Sequence, residues 1–388
     1  MKKVFIVAGK RTPIGAFLGS LSKVKATELG SIAARGAIDQ INLDPVQIDE
    51  VILGNVIQAN LGQNPAKQVS VGAGVPITVP NTLINKVCAS GMKTAMLGAQ
   101  SIQTGYNDVV LVGGFENMSQ TPFYVPNHRQ GQKFGNGHLI DALAYDGLTD
   151  AYKGCAMGVC AEKTAEDFDI TRELQDAYAI ESYERAINAA ETGRFDQEIV
   201  EVPLKRGGPV TQDEEPQNFR RDKIPQLRPV FAKDGTVTAA NASKINDGAC
   251  ALILMSEDAV NKHGVTPLAE IVGFGDAEVD PMDFNISPAE ATKVALARAG
   301  LQIQDIDYFE FNEAFSVTGL ANMKLLDLEA SKVNVNGGAV ALGHPIGMSG
   351  ARIVLSLNTV LQQNGGTYGL AGICNGGGGS SAIVLKRC

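Results

Sequence analysis

The sequence predicts an α/β protein built from two similar halves, each a sheet with helices on its faces. Three observations predict it. Strand-like and helix-like segments alternate over residues 1–119, the same order returns over 269–388, and between them the composition shifts toward Gly, Pro and charge. Strands alternating with helices imply βαβ units and a mostly parallel sheet. The expected division is 1–119 with 244–268 as the first half, 120–243 as an inserted loop domain, and 269–388 as the second half.

Each element has its own signal. "KKVFIVAG" is a run of apolar and β-branched residues that reads as a first strand over Val4–Ala8. "TELGSIAARGAIDQI" spaces its apolar residues as a helix does, and "IDEVILGNVI" reads as the next strand. "TLINKVCASGMKTAMLGAQSIQTG" is a strand running into a helix, and "DVVLVGGFENMS" is another strand. In the insertion, "TRELQDAYAIESYERAINAAETG" has a Thr at its start, an apolar stripe and a Gly stop, so it is an amphipathic helix. "RGGPVTQDEEPQNFRRDKIPQLRP" has no sustained period and reads as loop.

The second half repeats the plan. "TKVALARAGLQIQDIDYFEFNEAF" is helix, turn, strand; "VNVNGGAVALGHPIGMSGARIVLSLNTVLQQNGG" is strand, loop, helix; "TYGLAGICNGG" is the strand that follows. One short match, G-M-x-x-A, occurs in both halves, at Gly91–Ala95 and Gly347–Ala351.

Bulk composition bounds the function. The chain has 388 residues, 44% hydrophobic and 19% charged, the balance of an ordinary globular protein. Its net charge of −9 argues against broad nucleic-acid binding. No apolar run is long enough to cross a bilayer, and "MKKVFIVAGKRTPIG" is too short in its apolar part for a signal peptide. The expected compartment is the cytoplasm, or the mitochondrion if the chain is a processed form. The six cysteines are scattered without a CxxC pair or zinc spacing, which fits free thiols.

Four segments can carry chemistry. In "NKVCASGMKTAM", Cys88 ends a strand and precedes small residues and a helix. A lone cysteine is more often a core residue. Here the helix N-terminus is expected to favour a thiolate, and the small neighbours let a ligand approach. In "GGAVALGHPIGMSG", His344 stands between Gly343 and Pro345, open and rigidly aimed, as suits a general base beside a thiol. In "CNGGGG", Cys374 ends a strand before glycines whose N–H groups can bind an oxyanion, unless the run is only a turn. In "FEFNEAF", Asn312 is either a helix N-cap or a holder of water or of His344.

In this order and spacing the four segments resemble the thiolase family. The resemblance spans essentially the whole chain and includes "RTPIGAF", "DGLTDAY" and "GTVTAANASKINDGA". Within the family the wording is similar to the biosynthetic acetyl-CoA acetyltransferases. The resemblance implies a thiolase fold, a five-layered α/β/α/β/α core with an inserted loop domain. It implies a homotetramer, with residues 120–145 as the tetramer loop. It implies reversible condensation of two acetyl-CoA into acetoacetyl-CoA and CoA, with CoA as substrate and product and no required cofactor. Sterol or isoprenoid synthesis and polyhydroxybutyrate synthesis both remain open as outlets.

Carried over residue by residue, Cys88 is the nucleophile and His344 takes its proton. Cys374 removes a proton from the second acetyl-CoA, and Asn312 holds a water beside His344. The N–H groups of Cys88 and Gly376 bind the tetrahedral intermediate. Arg220, Lys223 and Ser243 lie near CoA, and Leu148, Met157, Phe231, Ala239, Ala314 and Phe315 line its pantetheine tunnel. Tyr183 borders the same site. Together with Ala239, Ala240, Ala242 and Val340, it matches the positions at which one branch of the family binds potassium. This chain departs from short-chain members at Ala156 and from the potassium branch at Asn285. The rival readings are a degradative 3-ketoacyl-CoA thiolase of broader chain length and a non-catalytic CoA or lipid carrier.

Overall fold

The computed structural model describes residues 2–388. The first half runs β1 (Val4–Arg11), α1 (Ala26–Gln40), β2 (Glu50–Gly54), α2 (Pro65–Gly72), β3 (Asn81–Ile84), α3 (Ser90–Gln103) and β4 (Val109–Asn117). The chain then passes through α4 (Met157–Asp167) and α5 (Arg172–Glu191). It returns to the sheet as β5 (Asn246–Ser256), followed by α6 (Glu257–His263). The second half runs β6 (Ala269–Glu278), α7 (Ser287–Ala299), β7 (Tyr308–Phe311), α8 (Ser316–Leu326), α9 (Ala339–Leu342), α10 (Ser349–Asn364), β8 (Tyr368–Asn375) and β9 (Gly379–Arg387).

The duplication is plain in the pairing. β1 pairs antiparallel with β5, β5 antiparallel with β4, β4 parallel with β2, and β2 parallel with β3. In the second half β6 pairs antiparallel with β9, β9 antiparallel with β8, and β8 parallel with β7. The two half-sheets join edge to edge where Phe5 and Ile6 of β1 meet Glu270 and Ala269 of β6. The result is one ten-stranded sheet in the order β7-β8-β9-β6-β1-β5-β4-β2-β3, with Gly15–Ala16 pairing on β5.

Two expectations need correction. The sheet is mixed rather than mostly parallel, because each half ends by folding a strand back antiparallel beside its first. The "VNVN" segment is not a strand. Val333 makes only an isolated parallel bridge to Phe309, where β3 in the other half pairs over four residues.

Strand alternation decides the layers. In β5, Leu252 and Leu254 face one core and Ala251, Ile253 and Met255 another. In β9, Ile383 and Leu385 face the shared core and Ala382 and Val384 the far one. That shared core holds α3 and α10, with α1 and α2 outside one half-sheet and α7 outside the other. This is the α/β/α/β/α order.

At the centre the two G-M-x-x-A motifs pack on each other. A Cβ at Gly91 would lie 2.7 Å from the Ala351 backbone nitrogen, and one at Gly350 would lie 2.4 Å from that of Met92. Only glycine lets the helix starts approach so closely.

The helix expected in the insertion is α5. Thr171 caps it, its hydroxyl accepting from the Leu174 N–H at 3.3 Å, and Gly193 follows its end with φ of 71°. Among the described residues no helix is long and apolar enough to cross a membrane.

Candidate active site

Cys88 sits in a tight turn between β3 and α3. Val87, immediately before it, holds φ of 47°, a conformation a β-branched residue rarely adopts. The turn is held from both sides. The Val87 N–H donates to Asn85 Oδ1 at 2.8 Å, the Ser90 hydroxyl donates to the Val87 carbonyl at 2.6 Å, and the Lys86 N–H donates to Ser90 Oγ at 2.8 Å. So the small residues after Cys88 are more than steric room: Ser90 fixes the backbone that aims the sulfur.

His344 follows α9, where Gly343 takes φ of 106°. Its backbone N–H donates to Asn246 Oδ1 at 2.9 Å. Its Nδ1 is 2.6 Å from Ser349 Oγ, whose hydroxyl donates to the Pro345 carbonyl at 2.9 Å. With that hydrogen spent, Ser349 Oγ accepts from Nδ1–H, and the network assigns the lone pair to Nε2. Nε2 lies 3.4 Å from Asn312 Nδ2. Asn312 is buried and does not cap a helix, since α8 starts only at Ser316. Its Oδ1 has no partner among the protein atoms. A buried amide oxygen left open in this way is where a water or substrate donor would bind.

Cys374 lies at the end of β8, and the glycines after it form the turn into β9. Asn375 pairs with Gly379, and Gly377 and Gly378 take φ of 88° and 91°. A Cβ at Gly378 would lie 2.2 Å from the Val279 carbonyl. The run is therefore a hairpin turn, and it lies against the Cys88 turn: a Cβ at Gly376 would be 3.7 Å from Val87 Cγ1, and the backbone N–H groups of Gly376 and Cys88 favour the charged form of the Cys88 sulfur.

Burial dominates the electrostatics. It pushes the Cys88 thiol up to about 11, against the two backbone N–H groups that lower it. The expected resting thiolate is thus corrected to a thiol. The buried Cys374 thiol is also raised well above its ordinary value, with the charge of Cys88 adding to the effect of burial. Burial, aided by Arg352, lowers His344 to about 3, so the imidazole is neutral. The arrangement is two thiols and a neutral imidazole whose Nε2 faces the Asn312 amide.

The chain matches the thiolase N-terminal domain over residues 4–258 and the thiolase C-terminal domain over 265–387. This chain belongs to the thiolase family. It is 53% identical to an acetyl-CoA acetyltransferase of Schizosaccharomyces pombe, over 99% of each chain. It is 50% identical to a Gibberella zeae acetyl-CoA acetyltransferase described as cytosolic, over 99% of this chain and 98% of the other. It superposes on the crystal structure of an Ascaris suum thiolase in complex with coenzyme A with a TM-score of 0.95. The two are 46% identical, with 100% of both chains covered.

Around the sulfurs of this thiolase lie the residues expected to line the tunnel. Met157, Phe231, Ala314 and Phe315 pack with Cys374, and Leu148 packs with Cys88 and Ile346. The Phe231 and Phe315 rings meet edge to face at 6.3 Å. Gly158 passes beneath Phe231, whose ring a Cβ there would meet at 2.2 Å. The Ser243 N–H donates to the Ala314 carbonyl at 3.0 Å, and Ala242 bridges to Phe315. Ala156 precedes α4, whose Met157 N–H donates to the Leu148 carbonyl at 3.0 Å. Further out, Tyr183, Arg220, Lys223, Ala239 and Ala240 line a surface pocket of about 250 Å³. Arg221 turns away to pair with Glu184.

The positions expected to bind potassium do not fit an ion. The Lys244 ammonium donates to the carbonyls of Ala242 and Val340 at 2.8 and 3.4 Å and lies 5.6 Å from the centre of the Tyr183 ring.

Several supporting residues escaped the sequence reading. Glu313 accepts from Tyr178 and Asn334 on one oxygen and from Ser182 and the Val340 N–H on the other, at 2.7–3.1 Å. Glu116 accepts from Asn55, Val56, Ile57 and Gly347, and burial pushes it up to about 7. Lys86 ties the Cys88 turn to Asp276. Nothing local marks these positions, because their partners are remote in the chain. The adjacency of Glu313 to Asn312 was the one available signal.

Proposed function

We propose that the protein is an acetyl-CoA C-acetyltransferase, joining two acetyl-CoA into acetoacetyl-CoA and CoA and running the cleavage in reverse. The observation that carries this reading is the convergence of the Cys88 turn and the Cys374 hairpin, where Gly376 lies beside Val87 and Lys86 donates to Ser380 and Ser381. As Cys88 attacks the first thioester, its proton passes to His344 Nε2. The N–H groups of Cys88 and Gly376 serve as donors to the tetrahedral oxyanion. Cys374, a thiol that holds its proton tightly, gives it to the departing CoA thiolate. The Cys374 thiolate so made removes a proton from the methyl of the second acetyl-CoA. The carbanion attacks the acetyl-Cys88, and the freed Cys88 thiolate regains its proton from His344. Every proton is accounted for, and two sulfurs serve because the nucleophile and the carbon base act in sequence.

The Asn312 Oδ1 without a partner supports its role as a water holder that completes the enolate hole with His344. In this reading Leu148, Met157, Phe231, Ala239, Ala314 and Phe315 line the pantetheine path. Ser243 stands on the same path beside Ala314, and Tyr183, Arg220 and Lys223 stand at its outer end, where exposed cations suit CoA phosphates. The segment 120–243 acts as the inserted coenzyme domain. The exposed Phe123, Val125, Phe134 and Leu139 around the short hairpin of Phe123–Tyr124 and Ile140–Asp141 are the surface for a homotetramer. The cytosolic relative favours that compartment.

The test is a two-stage assay with labelled acetyl-CoA. Cys374→Ser is expected to take up acetyl label on Cys88 but to condense at least about 100-fold more slowly, the scale of a lost acid–base group. Cys88→Ala is expected to do neither. Full condensation by Cys374→Ser would overturn the assignment, and a preference for long 3-ketoacyl substrates would favour a degradative role.

A further inference from the structure

We propose that the Lys244 side chain is a built-in monovalent cation, holding the 239–243 loop to the segment that leads into His344, so that this thiolase needs no potassium ion. The placement of that loop beside coenzyme A rests on the function proposed above; the cation itself rests on geometry alone.

The ammonium lies between two carbonyls from distant parts of the chain. Ala242 belongs to the wall of the acyl site, where it bridges to Phe315, and its neighbour Ser243 donates to Ala314. Val340 lies in α9, whose last residue is followed by Gly343 and His344. Val340 is held from its other side, where its N–H donates to Glu313 Oε2 at 3.1 Å. Lys244 donates to both carbonyls. Its charge lies over the Tyr183 face, and Tyr183 itself stacks on Phe219 at 4.8 Å. Burial lowers the Lys244 ammonium to about 8, and the carboxylates of Glu215 and Glu313 oppose that fall, so the side chain stays charged at neutral pH.

A bound ion and this ammonium would make the same contacts: carbonyl oxygens, an aromatic face and nearby negative charge. They cannot both be present. The side chain occupies the carbonyls that an ion would need, and it reaches them from an anchored backbone without competing for ions in solution. Lys244 is thus a positioning residue. It acts on the reaction through the loop and through α9, and touches no reacting atom.

Activity and melting temperature are compared in potassium chloride and in N-methylglucamine chloride at equal ionic strength. For the wild type, both are expected to be the same in the two salts. Lys244→Ala opens the space and is expected to lose about tenfold in rate without potassium, the scale of a lost charge-assisted hydrogen bond. Its KM should rise as well. Potassium is expected to restore much of the rate and to raise the melting temperature of the substrate-free variant. Lys244→Met fills the space without charge and is expected to be slow in both salts. Potassium activation of the wild type by several-fold would overturn the proposal even if neither variant folded. So would a Lys244→Ala enzyme that matches the wild type, or one that is slow and indifferent to potassium. The melting comparison without substrate reads the cation site independently of whether the proposed reaction is correct.

Discussion

The Lys86 ammonium lies 2.6 Å from the Asp276 carboxylate, joining the turn that carries Cys88 in one half of the molecule to strand β6 in the other. Lys86 also donates to the Ser380 carbonyl at 2.8 Å and to Ser381 Oγ at 3.0 Å, on the strand after the Cys374 hairpin. Burial alone would push Asp276 up; the hydrogen bonds from Lys86 and Lys93 outweigh it and hold it at about 2. One partly buried side chain therefore links the turn that carries Cys88 to the strand after the Cys374 hairpin. Lys86→Met should lower kcat by roughly 10- to 100-fold, since small misplacements of reacting groups are costly. Lys93 still pairs with Asp276, so loss of stability should be modest. An unchanged kcat would show that the bridge is not what positions Cys88.

The thiol of Cys88, raised to about 11, makes a prediction for chemical labelling. In the substrate-free enzyme, alkylation by iodoacetamide should climb roughly tenfold per pH unit through neutrality, because only the thiolate reacts. Acetyl-CoA should protect. A plateau beginning near pH 7 would mean that the resting site holds a thiolate and an imidazolium instead.

His344 links stability to pH. Its folded value is about 3, against an ordinary 6.5, so between those values the unfolded chain binds a proton that the native site does not. Stability therefore rises with pH through this window. The gain is complete above about 6.5 and is lost as pH falls toward 3. Replacing His344 by Asn should flatten the dependence of unfolding free energy between pH 5 and 7 by roughly one proton per chain. An identical slope in the variant would place the titration elsewhere.

The helix crossing at Gly91 is tight enough to test by one methyl group. Gly91→Ala puts a Cβ 2.7 Å from the Ala351 nitrogen, where backbone must move. It should cost about 1–3 kcal/mol, the range for overpacking, and should lower kcat too, because α3 begins two residues after Cys88. Gly208→Ala, at a position with nothing within 4 Å, is the control and should change neither. Equal melting temperatures for the two variants would contradict this packing.

Apart from the "VNVN" segment, the short-range signals in the chain match the elements formed, and each has a local cause. The strand-turn-helix around Cys88, the Thr171 cap of α5 and the order of elements in both halves depend on neighbours a few residues apart. The same holds for the glycine turn after Cys374, a hairpin in which Gly377 and Gly378 take positive φ. The G-M-x-x-A repeat was legible as a match, but not as a contact between its own two copies.

By itself, then, the sequence determined which segments become strands, helices and tight turns, and which thiols, imidazole and amide stand at their ends. Periodicity, caps and glycine conformations act over one or two turns of chain. Only the tertiary structure decided that strands fold back to make the sheet mixed and that Lys86 meets Asp276. Only it raised Cys88 and lowered His344, and brought Lys244 to the carbonyls of Ala242 and Val340. Those outcomes depend on burial and on charges brought together from far apart in the chain, and neither exists until the two halves close on each other.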